Sequence, residues 1–333
     1  MLSLKEYQDF IEGYYVADCA VRSKEAFSFM LRQHSPEYTG ETVRLEVRIL
    51  NFFPNAESGK RIGCRQYHGF ELAYLAASTE PKAQAVLVNL DGDVAVLGGG
   101  YNDMEEPIEQ GADGPRRGGI FGLSTVAGHI YALSAWRGIA RRLGTNQWES
   151  LCRKDALPEP STGKGSIQYG TSWGFQAVDG FSESDLYAVG GKGDVWHYDG
   201  KVWAQCPLPT NMLLENVCCA GDGQVYIGAE SGSVIRGRGN HWEVLHRGSM
   251  TIPFRDMVWF QDRVWCTSDY GVWQIIDGEL VGADLPGMAA VCAGHLSVGD
   301  GVMLLGGLNG AALFDGQTWQ RMIDPAIVDS VVP

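Results

Sequence analysis

The chain has 333 residues, a formal net charge of -14 and a pI of about 4.9. With 45% hydrophobic and 20% charged residues it can bury a full core, which excludes a chain disordered as a whole. The acidity excludes nucleic acid and anionic membrane surfaces as direct partners of the whole surface and favours a cationic partner, although acidity also keeps proteins soluble.

The 44 glycines are about twice the usual share and stand between short β-rich runs. Turns are therefore many, and the class is all-β. The N-terminal MLSLKEYQDFIEGYY has acids and tyrosines where a signal peptide needs a cationic start and an apolar core. No run approaches the roughly 18 apolar residues of a membrane span. The 8 Cys show no CxxC pair and fall mostly in strand-like runs such as VCCAG and VWCTS. They read as reduced, buried thiols of a cytoplasmic protein.

Taken in order, residues 1–36 read as helical. Leu4, Tyr7, Ile11 and Tyr14 recur at helical spacing, and SKEAFSFMLRQH starts at an N-cap candidate, Ser23, and stops before Pro36. This segment packs on the domain as a cap or, in a sharper reading, serves as a partner-binding arm. From 42 the pattern changes. TVRLEVRILNFF alternates as a half-buried strand, and AQAVLVNL and DVAVLGGG are separated by the turn pair Asp91-Gly92. Asp91-Gly-Asp93 begins like a calcium loop, but apolar residues fill the later ligand positions, so a hairpin turn is the better reading.

Residues 101–118, YNDMEEPIEQGADGPRRG, interrupt the pattern with Asp103, Glu105, Glu106, Glu109 and Asp113, then Arg116 and Arg117. They read as a long surface loop, a place where function is often carried. From 119 a repeat is plain. The stretch DLYAVGGKGDVWHYDGKVWAQCP (185–207) reads as three short strands on two tight turns, Gly193-Asp194 and Asp199-Gly200. Its middle-strand anchor Tyr187 recurs as Tyr226, Trp265 and Met303, at steps of 39, 39 and 38 residues by subtraction. Tyr131 precedes it by one period plus an insertion, and Ala95 fits as an earlier anchor. An outer-strand Trp recurs as Trp148, Trp203, Trp242 and Trp319, with Leu280 in the remaining unit. Their fixed phase argues for packing between neighbouring units rather than for a sugar-binding ring.

Four short strands in about 39 residues, repeated radially, make a β-propeller blade. The paired glycines Gly98-Gly99, Gly190-Gly191 and Gly306-Gly307, followed by Tyr198 or Phe314 and then Trp203 or Trp319, resemble kelch-like bacterial propellers. The glycine-to-Trp spacing is shorter than in the usual kelch unit, and the Gly-His and Trp-Asp marks of WD40 blades are absent. The resemblance covers about residues 85–323 and implies architecture, not activity. The expected fold is a propeller over 42–333 with a short N-terminal helical segment over 1–36. It has six blades of four-stranded antiparallel sheets, with seven as the alternative; five are clear over 119–323. The β-prone tail 326–332 is expected to add a strand to the N-terminal blade and close the ring, removing exposed edges.

Chemistry-bearing motifs are weak. Gly170-Thr171-Ser172-Trp173-Gly174 matches GxSxG, but FQAVDGF follows and reads as strand, where a nucleophile elbow needs a helix. STGKGS (161–166) lacks the P-loop spacing. The 7 His are dispersed and no HExxH occurs, so no metal or cofactor is expected. Asp179, Glu183 or Asp256 are acids that a propeller mouth could bring together for glycoside chemistry. The reading that results is a non-catalytic protein-binding propeller, specifically an immunity protein masking a cationic toxin such as a nuclease. A propeller enzyme or carbohydrate binder with a site in the central funnel is one alternative, and an assembly scaffold docked through residues 1–35 is another. The expected contact residues are Tyr101, Asp103, Glu105, Glu106, Glu109 and Asp113, with the aromatic loop residues Tyr169 and Trp173.

Overall fold

The computed structural model describes residues 1–34, 45–153, 156–158 and 174–328. Among these residues the strands form seven four-stranded antiparallel sheets. Blade by blade they span 14–67, 73–105, 120–150, 175–206, 214–246, 256–282 and 295–323. Each blade is built from four consecutive strands, here called inner, second, third and outer. Local sequence explains why. In blade 4, Leu186 pairs with Tyr198 and Ala188 with Trp196 across the second and third strands. The next turn carries Gly200 at φ +88, and Asp199 accepts hydrogen bonds from the amides of Lys201 and Val202. Asp supplies the acceptor and glycine the left-handed backbone, so the turn is specified by two residues.

The favoured count of six is therefore corrected to seven, and the missing blade lies where helices were expected. A capped helix does form at α1 (Leu4–Phe10), with Ser3 and Glu6 closing a capping box. The second expected helix does not. Tyr14–Ser23 and Ala26–Gln33 are the inner and second strands of blade 1. Ser23 Oγ accepts from the Glu25 amide in a two-residue turn instead of capping a helix. The run Phe27–Leu31 is buried on both faces, with Ser28 bonded to Asn51. A strand buried on both faces shows a continuous apolar run, and such a run carries no period-2 signal. Ala95 was also misphased by one strand. It lies in the third strand of blade 2 (Val94–Gly98), opposite Leu87 of the second (Gln84–Asn89).

The core is not central. It is divided into seven apolar clusters, one at each seam between neighbouring blades. The repeated outer-strand residues lie in them as expected: Trp148 in the seam of blades 2 and 3, Trp203 in 3 and 4, Trp242 in 4 and 5, Leu280 in 5 and 6, Trp319 in 6 and 7. Trp203 is fixed twice, by ring contacts with Phe175 and Tyr198 and by an Nε1 bond to the Leu151 carbonyl at 2.8 Å.

The ring closes by packing. Inner strands of blades 1 and 7 meet through Val21 N to Ser297 Oγ at 2.9 Å, and α1 covers their seam, with the Leu2 amide bonded to the Met322 carbonyl at 3.0 Å. The expected tail strand is corrected over the described residues. Pro325–Ile327 is a 3-10 turn, and Ile327 and Val328 pack on the same seam; residues 329–333 lie outside the described residues.

Candidate partner-binding faces

Antiparallel up-and-down blades place their connections alternately. The second-to-third and outer-to-inner connections share one end of the ring, here the loop face. The inner-to-second and third-to-outer turns share the other, the turn face. The acidic stretch reaches the loop face. Tyr101–Glu105 is the outer strand of blade 2, and only 106–119 is loop.

This loop is held from within. Arg116 donates from Nε to Ile108 O and from Nη1 to Gly118 O. Arg117 is buried and reaches Ala112 O, Trp136 O and Leu157 O, tying the loop to the next outer-to-inner connection. Both guanidiniums thus serve backbone carbonyls, while Glu106, Glu109 and Asp113 stand exposed. The outward charge of the loop is negative although its sequence is mixed.

The predicted contact residues divide. Asp103 is exposed on the outer strand, and Tyr101 is half-buried, with its hydroxyl on the Met104 carbonyl. Glu105 departs from the expectation of a solvated acid. It is buried and pairs with buried Arg142 at 2.5 Å across the seam of blades 2 and 3, also accepting from the Asn146 amide. Such a pair is a structural element: removing one partner leaves an uncompensated buried charge. Tyr169 and Trp173 lie outside the described residues, as do the STGKGS segment and Ser172. Phe175–Ser182, after the GxSxG match, is the inner strand of blade 4, as read. Asp91-Gly92-Asp93 is a turn in which Asn89 Oδ1 accepts from the amides of Asp91 and Asp93.

All seven inner strands line a central channel of about 860 Å³. Three of its carboxylates do a shared job. Asp18 accepts from the amide of Cys19 and from Leu75 of the next blade, and Asp179 from Gly180 and from Cys219 of the next blade. Asp256 accepts from the Leu296 amide at 3.0 Å, again in the next blade. Thr125 to Ala77 O and Asn216 to Phe254 O link two further seams. Burial pushes the Asp179 carboxyl up to about 6, against the pull of its two amide donors.

His295 sits between Asp256 (2.9 Å) and Asp18 (3.6 Å). Burial alone would lower its pKa, but Asp18 and then Asp256 outweigh it and push it up to about 9. The imidazolium thus faces two inward carboxyls, and burial pushes that of Asp18 up against the pull of His295. Glu183 is not with them: it sits on a turn-face hairpin with Arg141 and His129. The three acids weighed for glycoside chemistry are thus not one constellation. Among the described residues, no group of three His, Cys, Asp or Glu has the geometry to hold a metal ion.

Sequence reading missed one charge asymmetry that was available to it. No lysine occurs after Lys201, so blades 5 to 7 carry only arginine and histidine as cations. It also missed the exposed apolar loops of blades 6 and 7.

No family model matches the chain. In comparison with curated proteins, it is 32% identical over 254 residues to the immune protein Tsi7 of Pseudomonas aeruginosa, covering 76% of this chain and 80% of that relative. Among solved structures it resembles the WD40 repeats of RRP9, with a TM-score of 0.58 and 14% identity over 92% of this chain and 91% of the other. It also resembles the WD40 β-propeller domain of Doa1, with a TM-score of 0.60 and 12% identity over 91% and 94%. The two structural likenesses concern the fold alone, and they are to WD40 propellers although the WD40 sequence marks are absent.

Proposed function

Because the chain belongs to the family of the immune protein Tsi7, we propose that it protects its cell by binding one protein toxin, and that this toxin is basic. The family membership is the observation that carries the protective role. The basic character of the partner rests on the net charge of -14 and on the loop at 106–119, whose arginines turn inward while its acids turn out. Binding without chemistry suits the channel, where Asp18, Asp179 and Asp256 are engaged by backbone amides across the seams.

We place the protein in the cytoplasm. All eight cysteines are unpaired and six are buried, which suits a reducing compartment. No helix among the described residues is long and apolar enough to cross a membrane. The kelch-like reading of the blades is kept as a proposal about repeat sequence.

Co-expression tests the reading. The product of the adjacent gene, induced in a sensitive host, should stop growth, and this chain expressed beside it should restore growth and co-purify one to one. Loss of growth that the chain does not relieve would overturn it.

A further inference from the structure

Exposed apolar side chains are unevenly placed. On the turn face Leu143, Val202 and Ile276 stand singly on separate blades, as scattered surface apolars commonly do. On the loop face, Leu72 and Trp136 are exposed on separate connections of blades 2 and 3, whereas blades 6 and 7 gather four: Tyr270 is 82% exposed, Met288 40%, Val291 50% and Leu308 58%.

The sequence accounts for the gathering. The connection 283–294, ADLPGMAAVCAG, has one charged residue, Asp284. Pro286 precedes a single helical turn, α2 (Gly287–Ala290). Ala289 and Cys292 turn into the seam of blades 6 and 7, so Met288 and Val291 turn out. Leu308 lies on the adjacent loop of blade 7. The two loops are fixed to each other, because Arg321 donates to Met288 O at 2.6 Å and to Asn309 O at 2.5 Å. They also pass so closely that a Cβ on Gly307 would stand 2.1 Å from the Ala293 carbonyl. Tyr270 is on the loop of blade 6, and Val272, two residues on, enters the seam that holds Ala289 and Cys292. The seam is thus filled by inward residues, and the four outward ones add nothing to it. Clustered exposed apolars with an aromatic among them mark protein interfaces.

The surroundings state the chemistry of the occupant. Asp269, Asp284 and Asp324 border the patch. Both nearby guanidiniums are engaged: Arg255 donates twice to Asp269 at 2.7 Å, and Arg321 serves carbonyls and Asp324. With Asp269 and Asp324 so paired, Asp284 is the remaining rim charge, and the complementary surface is an apolar protrusion; the preference for Lys or Arg beside it comes from elsewhere on the face. Across the channel mouth, on the same face, stands the acidic loop of blades 2 and 3.

We propose that the toxin docks over the loop face, with Tyr270, Met288, Val291 and Leu308 as its anchor and the acidic 106–119 loop as its electrostatic guide. This rests on the toxin-binding reading above. The two halves have different kinetic signatures. Rim charges act chiefly on the association rate and its salt dependence, whereas desolvated anchors act on dissociation.

The test uses the full chain and the toxin that it neutralises in co-expression, with rates measured by surface plasmon resonance at low and high salt. Tyr270→Ala and Leu308→Ser should each raise the dissociation rate about tenfold or more and leave association within about twofold. Glu106→Lys with Glu109→Lys should slow association and flatten its salt dependence. Val202→Ser and Ile276→Ser, on the turn face, should change neither rate. Thermal melts check that each variant is folded, which exposed loop positions favour.

If the unaltered chain binds the toxin tightly and the Tyr270 and Leu308 variants keep its dissociation rate, the docking surface is wrong and the toxin reading stands. If the unaltered chain does not bind, the toxin reading falls and the docking surface with it. If the free chain sediments as a dimer that the same two changes split, the patch is a self-interface and the proposal is overturned.

Discussion

His295 shows how much one residue is set by its neighbours. Its ring is held between Asp18 and Asp256, with the paired Arg255 behind them. Because the folded pKa of about 9 lies above the unfolded value of about 6.5, folding favours the protonated ring. That contribution to stability is fully present below about pH 6.5 and is lost as pH rises through about 9. Denaturation followed over this range should show stability falling in the unaltered protein, and His295→Gln should remove that slope. A slope of the same size in the variant would place its origin elsewhere. Glu105 is the counterpart. Its sequence context of five acids reads as solvated, yet its side chain is closed in with Arg142. A charge whose partner lies 37 positions away has no local signal.

At the scale of the element, the repeat is a statement about seams. The Trp of the outer strand packs in the seam with the preceding blade. Trp203 and Trp148 occupy the same phase with different attachments. Trp203 is buried and bonded to Leu151 O, whereas Trp148 is half-buried and its Nε1 has no hydrogen-bond partner among the described residues. Trp203→Ala is expected to cost about 3–5 kcal/mol in chemical denaturation. Trp148→Ala should cost well under half of that, since the ring is half-buried and its loss removes no hydrogen bond. Equal losses at the two positions would show that phase alone sets the contribution.

For the whole molecule, closure of the ring is the open question that a linear repeat cannot answer. Blades 1 and 7 are each contiguous in sequence, and no strand is exchanged between them among the described residues. Their seam is sealed from outside by α1, through Leu2, Tyr7 and Ile11 and the Glu6–Arg61 pair at 2.9 Å. Deleting residues 1–12 should therefore lower the melting temperature by opening this seam, while the toxin still binds at the loop face. If binding were lost in a deletion variant that remains folded, residues 1–12 would be a partner arm and the scaffold reading would gain weight.

What the sequence determined by itself was local and periodic. Asp199-Gly200 specifies its turn, Tyr187 and Trp203 mark strand phase, and their recurrence specifies a propeller, because each of these signals sits within a few residues of what it causes. Tertiary structure alone decided the blade count, since the doubly buried strand at Ala26–Gln33 carries no alternation and resembles a helical stripe. It alone decided which acids face the solvent, because Glu105 and Arg142 meet only when blades 2 and 3 stack. It alone brought Met288 and Leu308 onto one surface, since the loops that carry them are joined by Arg321 and by the backbone passage at Gly307, and it set the Tyr270 loop against the same seam through Val272, contacts that exist only once the ring is built.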